Sequence, residues 1–187
     1  MPAFFITPTL TIYPSSLAAR LHQIAYLDLV ADLVDQLSGF PPSFDKTHDG
    51  AFNARRNNLP HFWKGQFTHT HGVVVAQRFY EWVDRVRENG AKYKQEIVFN
   101  PLGLDDMLAA CIWSRWHGDD GEILDSFALI TDEPPPEVSA AGHDRCIVPL
   151  RAENIDAWLN PEPGNYGPMQ AILDDRERPY YGRQLAA

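Results

Sequence analysis

Cysteine is scarce in this 187-residue chain, which holds only Cys111 and Cys146. Two thiols are too few for a disulfide framework, so stability must come from a packed core, and the pair reads as buried thiols of a reducing cytoplasm. A single bridge between them stays open at this point. Long uncharged runs are lacking too, and the apolar start, Met1 to Tyr13, carries no basic leader. No membrane partner is expected, and the chain reads as cytoplasmic. Positive charge is in deficit: 16 Lys and Arg stand against 25 Asp and Glu, a net charge of −9. Taken over the whole chain, that balance argues against nonspecific affinity for nucleic acid. The G-x-S-x-G elbow and the G-x-x-x-x-G-K-[ST] loop are both missing, which removes the standard serine-hydrolase and nucleotide-phosphate readings. No cofactor is called for.

What is present is the composition of a folding protein, 44% hydrophobic and 12% aromatic, of a length suited to one core. Leu17, Leu21, Ile24, Leu27, Val30, Val34 and Leu37 recur every three or four residues. This pattern predicts an amphipathic helix over 15–38, capped by Ser15 or Ser16 and stopped by Gly39, Pro41 and Pro42. A polar, turn-rich stretch from Pro41 to Gly50 follows and divides the chain into a helical segment over 1–47 and a main domain over 48–187. In the latter, Gly72 to Ala76, Glu96 to Phe99, Ala109 to Trp113, Phe127 to Thr131 and Cys146 to Leu150 are short β-rich runs between Gly, Asp or Pro clusters. That spacing predicts antiparallel β structure. Shorter helices are expected over Ala152 to Leu159 and Pro168 to Leu173, and Pro134 to Pro136 reads as a stiff loop.

Charge is unevenly placed. Residues 53–95 hold eight cations against three acids, a net +5, whereas residues 96–187 hold six against seventeen, a net −11. The basic stretch interleaves its cations with Phe62, Trp63, Phe67, Phe79, Tyr80 and Trp82, the mixture by which proteins hold single-stranded nucleic acid. A solvated face over an aromatic core explains it equally well. Asn53 beside Arg55 suits a carbonyl or phosphate oxygen, or else a turn. Glu81 is the one acid within the aromatic run, where desolvation would lift its pKa toward proton-transfer range, unless it pairs with Arg78 or Arg85 at a rim. His143, in Gly142-His143-Asp144-Arg145, stands at a strand end as a candidate acid or base. His69 and His71 have a spacing compatible with a metal in an extended strand, but no third ligand lies nearby, and no metal site is assigned.

Four motifs in order, Asn53-Ala54-Arg55, Phe79-Tyr80-Glu81-Trp82, Ser126 to Asp132 and His143-Asp144-Arg145, resemble the SRAP family, the SOS response-associated peptidases or abasic-site processing proteins. The resemblance runs from about Asp49 to the C-terminus and takes in Ile112 to Trp116, Ala157-Trp158-Leu159 and Arg178 to Tyr181. Residues 53–59 with Phe62-Trp63-Lys64-Gly65 look like a divergent bacterial branch. The resemblance implies an α+β fold whose mainly antiparallel sheets form a barrel-like core with flanking helices. It also implies a groove for single-stranded DNA bearing an abasic site. In that family an N-terminal cysteine captures the ring-opened aldehyde: its amine forms a Schiff base and its thiol closes a thiazolidine, leaving a covalent protein-DNA linkage. Carried over, Asn53 would hold the catalytic end, Glu81 and His143 would shuttle protons, and Arg55, Arg56, Lys64, Arg78 and Arg145 would contact DNA. This chain departs from the pattern at its start, Met1-Pro2-Ala3, and its first cysteine is Cys111. A truncated member, a mis-assigned start and a replaced N-terminus all fit. Pro2, once exposed, offers a secondary amine capable of an iminium with an aldehyde. A catalytically inactive DNA-binding remnant and a non-functional fragment are the alternatives.

Overall fold

The computed structural model describes residues 10–11, 26–27, 53–117, 121 and 123–185. Near the start, β1 (Leu10–Thr11) pairs antiparallel with β2 (Tyr26–Leu27). Those last two residues belong to the predicted 15–38 helix and are a strand instead; the rest of that helix lies outside the described residues, as does Pro2.

From residue 53 the order is β3 (Asn53–Arg55), β4 (His71–Ala76), β5 (Phe79–Val86), β6 (Lys92–Leu102), β7 (Met107–His117), β8 (Ile123–Asp132), α1 (Pro136–Ala141), β9 (Cys146–Ile147), α2 (Ile155–Leu159), α3 (Tyr166–Asp174) and β10 (Tyr180–Leu185). Two sheets result. One has the order β10-β6-β5, the other β3-β8-β7-β4 with β9 alongside β8. All described pairings are antiparallel except that of β3 with β8. The α+β reading therefore stands, but the barrel does not. Closure requires β4 or β3 to pair with β5 or β10, whereas the sheets pack face to face over side chains such as Phe79, Phe99, Val74, Leu129 and Cys111.

The five-stranded sheet is the central layer. Alternate residues of its strands point to opposite sides, and both sides are covered. Val74, Ala109, Cys111 and Leu129 meet the three-stranded sheet and α1. Val73, Ala110, Ile112, Ala128 and Ile130 meet α2, α3 and the turn segment that carries Leu59, Trp63 and Phe67. Burial on both faces explains why these strands read as continuous apolar runs. Pro134 to Pro136 is only partly loop, because Pro136 opens α1, where a missing N–H costs nothing.

His71 ties the second core together. Its Nδ1 donates to the Trp158 carbonyl at 2.8 Å, and its Nε2 accepts the Thr68 N–H at 3.0 Å. The ring stacks on Trp158 with centroids 3.9 Å apart. Both ring nitrogens are thus engaged, which leaves no lone pair for a metal, and burial drives the pKa down to about 4.

Candidate active site

Strand β5 alternates, with Phe79, Glu81 and Val83 turned inward and buried. Phe79 and Val83 belong to the core between the sheets, so Glu81 is a carboxylate set in an apolar layer at 4% exposure. Its partner arrives from α1. That helix ends in Gly142 at φ +99°, whose N–H donates to the Ser139 carbonyl at 2.9 Å. A side chain resists this left-handed turn, and glycine does not. The chain reverses there and brings His143 Nε2 to 2.8 Å from Glu81 Oε2. His143 Nδ1 lies 2.9 Å from the Arg145 carbonyl, to which it donates. Glu81 therefore meets His143 and not Arg78 or Arg85.

The electrostatics follow from this placement. Burial lifts the Glu81 carboxyl above its usual range, and the His143 contact offsets part of that rise. For His143, burial disfavours the charge, yet the hydrogen bond and charge of Glu81 outweigh it and the pKa rises. Both groups hold a proton more firmly than in water, so the pair is a desolvated proton donor and acceptor. Glu81 Oε1 is buried with no hydrogen-bond partner.

Asn53 opens β3, opposite Leu129 on β8, with Arg55 opposite Thr131. Leu129 belongs to the intersheet core, so Asn53 faces the same layer as Glu81. Its Oδ1 is buried and unpaired, and so is Thr131 Oγ1. Three unpaired polar atoms in one apolar layer are costly unless a ligand meets them. The sequence reading places Thr131 in a strand and in a motif but gives it no site role. Its signal is a hydroxyl at an inward position of β8, and a β-branched residue in an apolar strand reads as packing.

The five arginine and lysine candidates separate. Arg55, Lys64 and Arg78 are exposed. Arg145 is mostly covered, 3.8 Å from Glu133 Oε1. Arg56 is engaged internally: Nη1 to Asp132 Oδ2 at 3.1 Å, Nη2 to Asp174 Oδ1 at 2.6 Å and Nε to Gln170 Oε1 at 3.0 Å. Arg176 joins the same Asp132 oxygen at 2.8 Å. Cys111 and Cys146 are free, buried thiols, each pushed up by burial to about 12. Neither supplies a thiolate nucleophile near neutral pH. Among the described residues no helix is long and apolar enough to cross a membrane.

Two packed sheets with a buried carboxylate–imidazole pair between them define a class of α+β protein, and comparison with known proteins places it. The family model described as SOS response associated peptidase (SRAP) matches residues 30–183. The chain belongs to the SRAP family. Among curated proteins it is similar to the abasic site processing protein YobE of Bacillus subtilis (strain 168), with 29% identity over 101 residues, covering 54% of this chain and 44% of YobE. The abasic site processing protein YoqW of the same organism matches equally, with 43% of its length covered. The match thus spans less than half of these relatives. A solved protein from Bacteroides thetaiotaomicron has the same fold, with a TM-score of 0.58 and 19% identity over 72% of this chain and 58% of that one. One from Bordetella bronchiseptica gives 0.57 and 17% over 81% of this chain and 73% of that one.

Proposed function

We propose that this chain recognises abasic sites in single-stranded DNA, with Glu81 and His143 exchanging protons with the ring-opened sugar and Asn53 and Thr131 holding its oxygens. The observation that carries this reading is the 2.8 Å contact of a buried carboxylate with an imidazole, in a family whose similar members are abasic site processing proteins. Opening a deoxyribose ring moves a proton off the anomeric hydroxyl and onto the ring oxygen, which calls for one group able to do both. Arg55, Lys64 and Arg78 supply exposed charge for phosphates, and the partly exposed rings of Phe62 and Trp113 supply stacking surface. Arg145 stands beside the pair as a further phosphate contact, whereas Arg56 acts mainly within the fold.

Covalent capture is the finer question. Thiazolidine closure cannot use Cys111 or Cys146, both buried with their thiols held protonated. An amine such as that of Pro2 can still add to the aldehyde carbon with loss of water. Those buried thiols favour a second reading, that of a binding module with no covalent step. An end-labelled single strand with one abasic site, run on native and denaturing gels with and without borohydride, tests both. The proposal expects a native complex stronger than with an intact strand. A denaturation-resistant band that appears only with borohydride assigns an amine step, and its loss when the Pro2 amine is blocked by acetylation assigns it to that amine; its absence assigns the binding module. Equal native binding of the two strands contradicts the proposal.

A further inference from the structure

Arg85 takes no part in the proton pair or the exposed basic surface, yet it lies four residues beyond Glu81 on the same face of β5. Its Nη2 donates to the Ala141 carbonyl at 2.8 Å, and its Nε donates to Gln95 Oε1 on β6 at 3.1 Å. Ala141 is the last residue of α1, and a Cβ on Gly142, the next residue, would lie 3.1 Å from Arg85 Nη1. The last carbonyls of any helix lack intrahelical partners, and a guanidinium held by a second hydrogen bond is well suited to fill one. A six-residue helix has little stability of its own, so tertiary contacts fix where its end lies. Strand β5 thus grips the same loop twice, with Arg85 on the Ala141 carbonyl and Glu81 on His143 two residues later.

We infer that Arg85 is a positioning residue: by holding the end of α1 it keeps His143 Nε2 within hydrogen-bond reach of Glu81. If the Ala141 contact is released, the loop gains freedom and the His143 contact to Glu81 is averaged over longer distances, where hydrogen bonds weaken steeply. Among the charged groups that bear on His143 are Glu81 from β5 and Asp144 from its own loop; Arg145 meets it through its backbone carbonyl, and Arg85 lies four residues beyond Glu81 on the same face of β5. This makes the sign of the effect diagnostic. A purely electrostatic Arg85 repels the imidazolium, so its removal would strengthen proton binding at His143; a positioning Arg85 does the opposite, because His143 then loses Glu81.

This inference rests on Glu81 and His143 forming one proton pair, and it is tested without DNA. The imidazole protons of His143 are followed by NMR against pH and assigned by their disappearance in His143→Gln. In Arg85→Met the proton affinity of His143 should fall by about threefold or more, a pKa drop of about half a unit. Arg85→Lys, which keeps a donor for Ala141, should lie between Arg85→Met and the parent protein. Gln95→Met, which only loosens Arg85, should move His143 in the same direction by less. His71, neutral until about pH 4, reports an intact fold in each variant; where Arg85→Met loses that signature, Gln95→Met decides. An unchanged or raised His143 affinity in the folded variant overturns the inference. Failure to prefer abasic DNA would instead strike the proposed function and leave this titration untouched.

Discussion

Glu81 and His71 are 4% and 5% exposed, and burial acts on them in opposite senses. For His71 it favours the neutral ring, from 6.5 down to about 4. The unfolded chain then binds the proton first as pH falls, so stability present above pH 6.5 is lost between 6.5 and about 4, to the extent of about 3 kcal/mol. Replacing His71 by Phe orphans the Thr68 N–H and the Trp158 carbonyl and should cost about 2–4 kcal/mol at pH 7.5. Urea unfolding at pH 7.5 and 4.5 should show that gap narrowing at the lower pH. A constant gap would mean that His71 titrates normally. For Glu81 and His143 the sign is reversed. Both pKa values are raised, so the folded protein keeps protons that the unfolded chain releases, beginning above 4.5 for Glu81 and above 6.5 for His143. Their stabilisation is lost as pH rises through the folded values. Between pH 6.5 and 8 the His71 contribution is nearly constant, and Glu81→Gln should flatten the decline seen in the parent protein.

Elements differ in how much of them the sequence carries. Strands β4, β7 and β8 are legible because both faces of the central sheet are buried and apolar residues run continuously through them, and β6 of the other sheet is legible from its run Glu96 to Phe99. Strand β3 is not. Three residues long and parallel to β8, it has no periodicity to display, and Asn53 reads there as a turn. Helix α1 is hidden behind three prolines, although Pro at a first helical position and Gly after the last are regular helix punctuation. The Glu81–His143 pair was half legible: each residue stands out by its surroundings, but their meeting depends on the left-handed turn at Gly142. Gly142→Ala forces a Cβ into that turn and against Arg85. It should cost about 1–3 kcal/mol in thermal or urea unfolding; an unchanged stability would mean that the turn tolerates a side chain. The Arg56 network joins the turn just after β3 to β8 and α3. Arg56→Met should therefore lower stability by about 1–2 kcal/mol, the exposed Asp174 adding little.

At the scale of the whole molecule, the net charge of −9 conceals a +5 stretch over residues 53–95. DNA affinity should fall steeply with salt, and removing Arg55, Lys64 or Arg78 should reduce the log–log slope by about 0.7 each, the value for single strands. Arg56→Met should leave that slope in place, because its charge is already matched by Asp132 and Asp174. Charge alone does not distinguish an abasic site from an intact strand; under the proposed function that discrimination belongs to the layer between the sheets. The most direct measurement is fluorescence anisotropy with two labelled single strands of one length, one intact and one with a single abasic site, at a fixed salt concentration. The parent protein should bind the abasic strand more tightly by about tenfold, equivalent to about 1.4 kcal/mol. Glu81→Gln and His143→Ala should bring the two affinities together with the salt slope unchanged. Equal affinities in the parent protein, or a preference that survives both substitutions, would contradict the account.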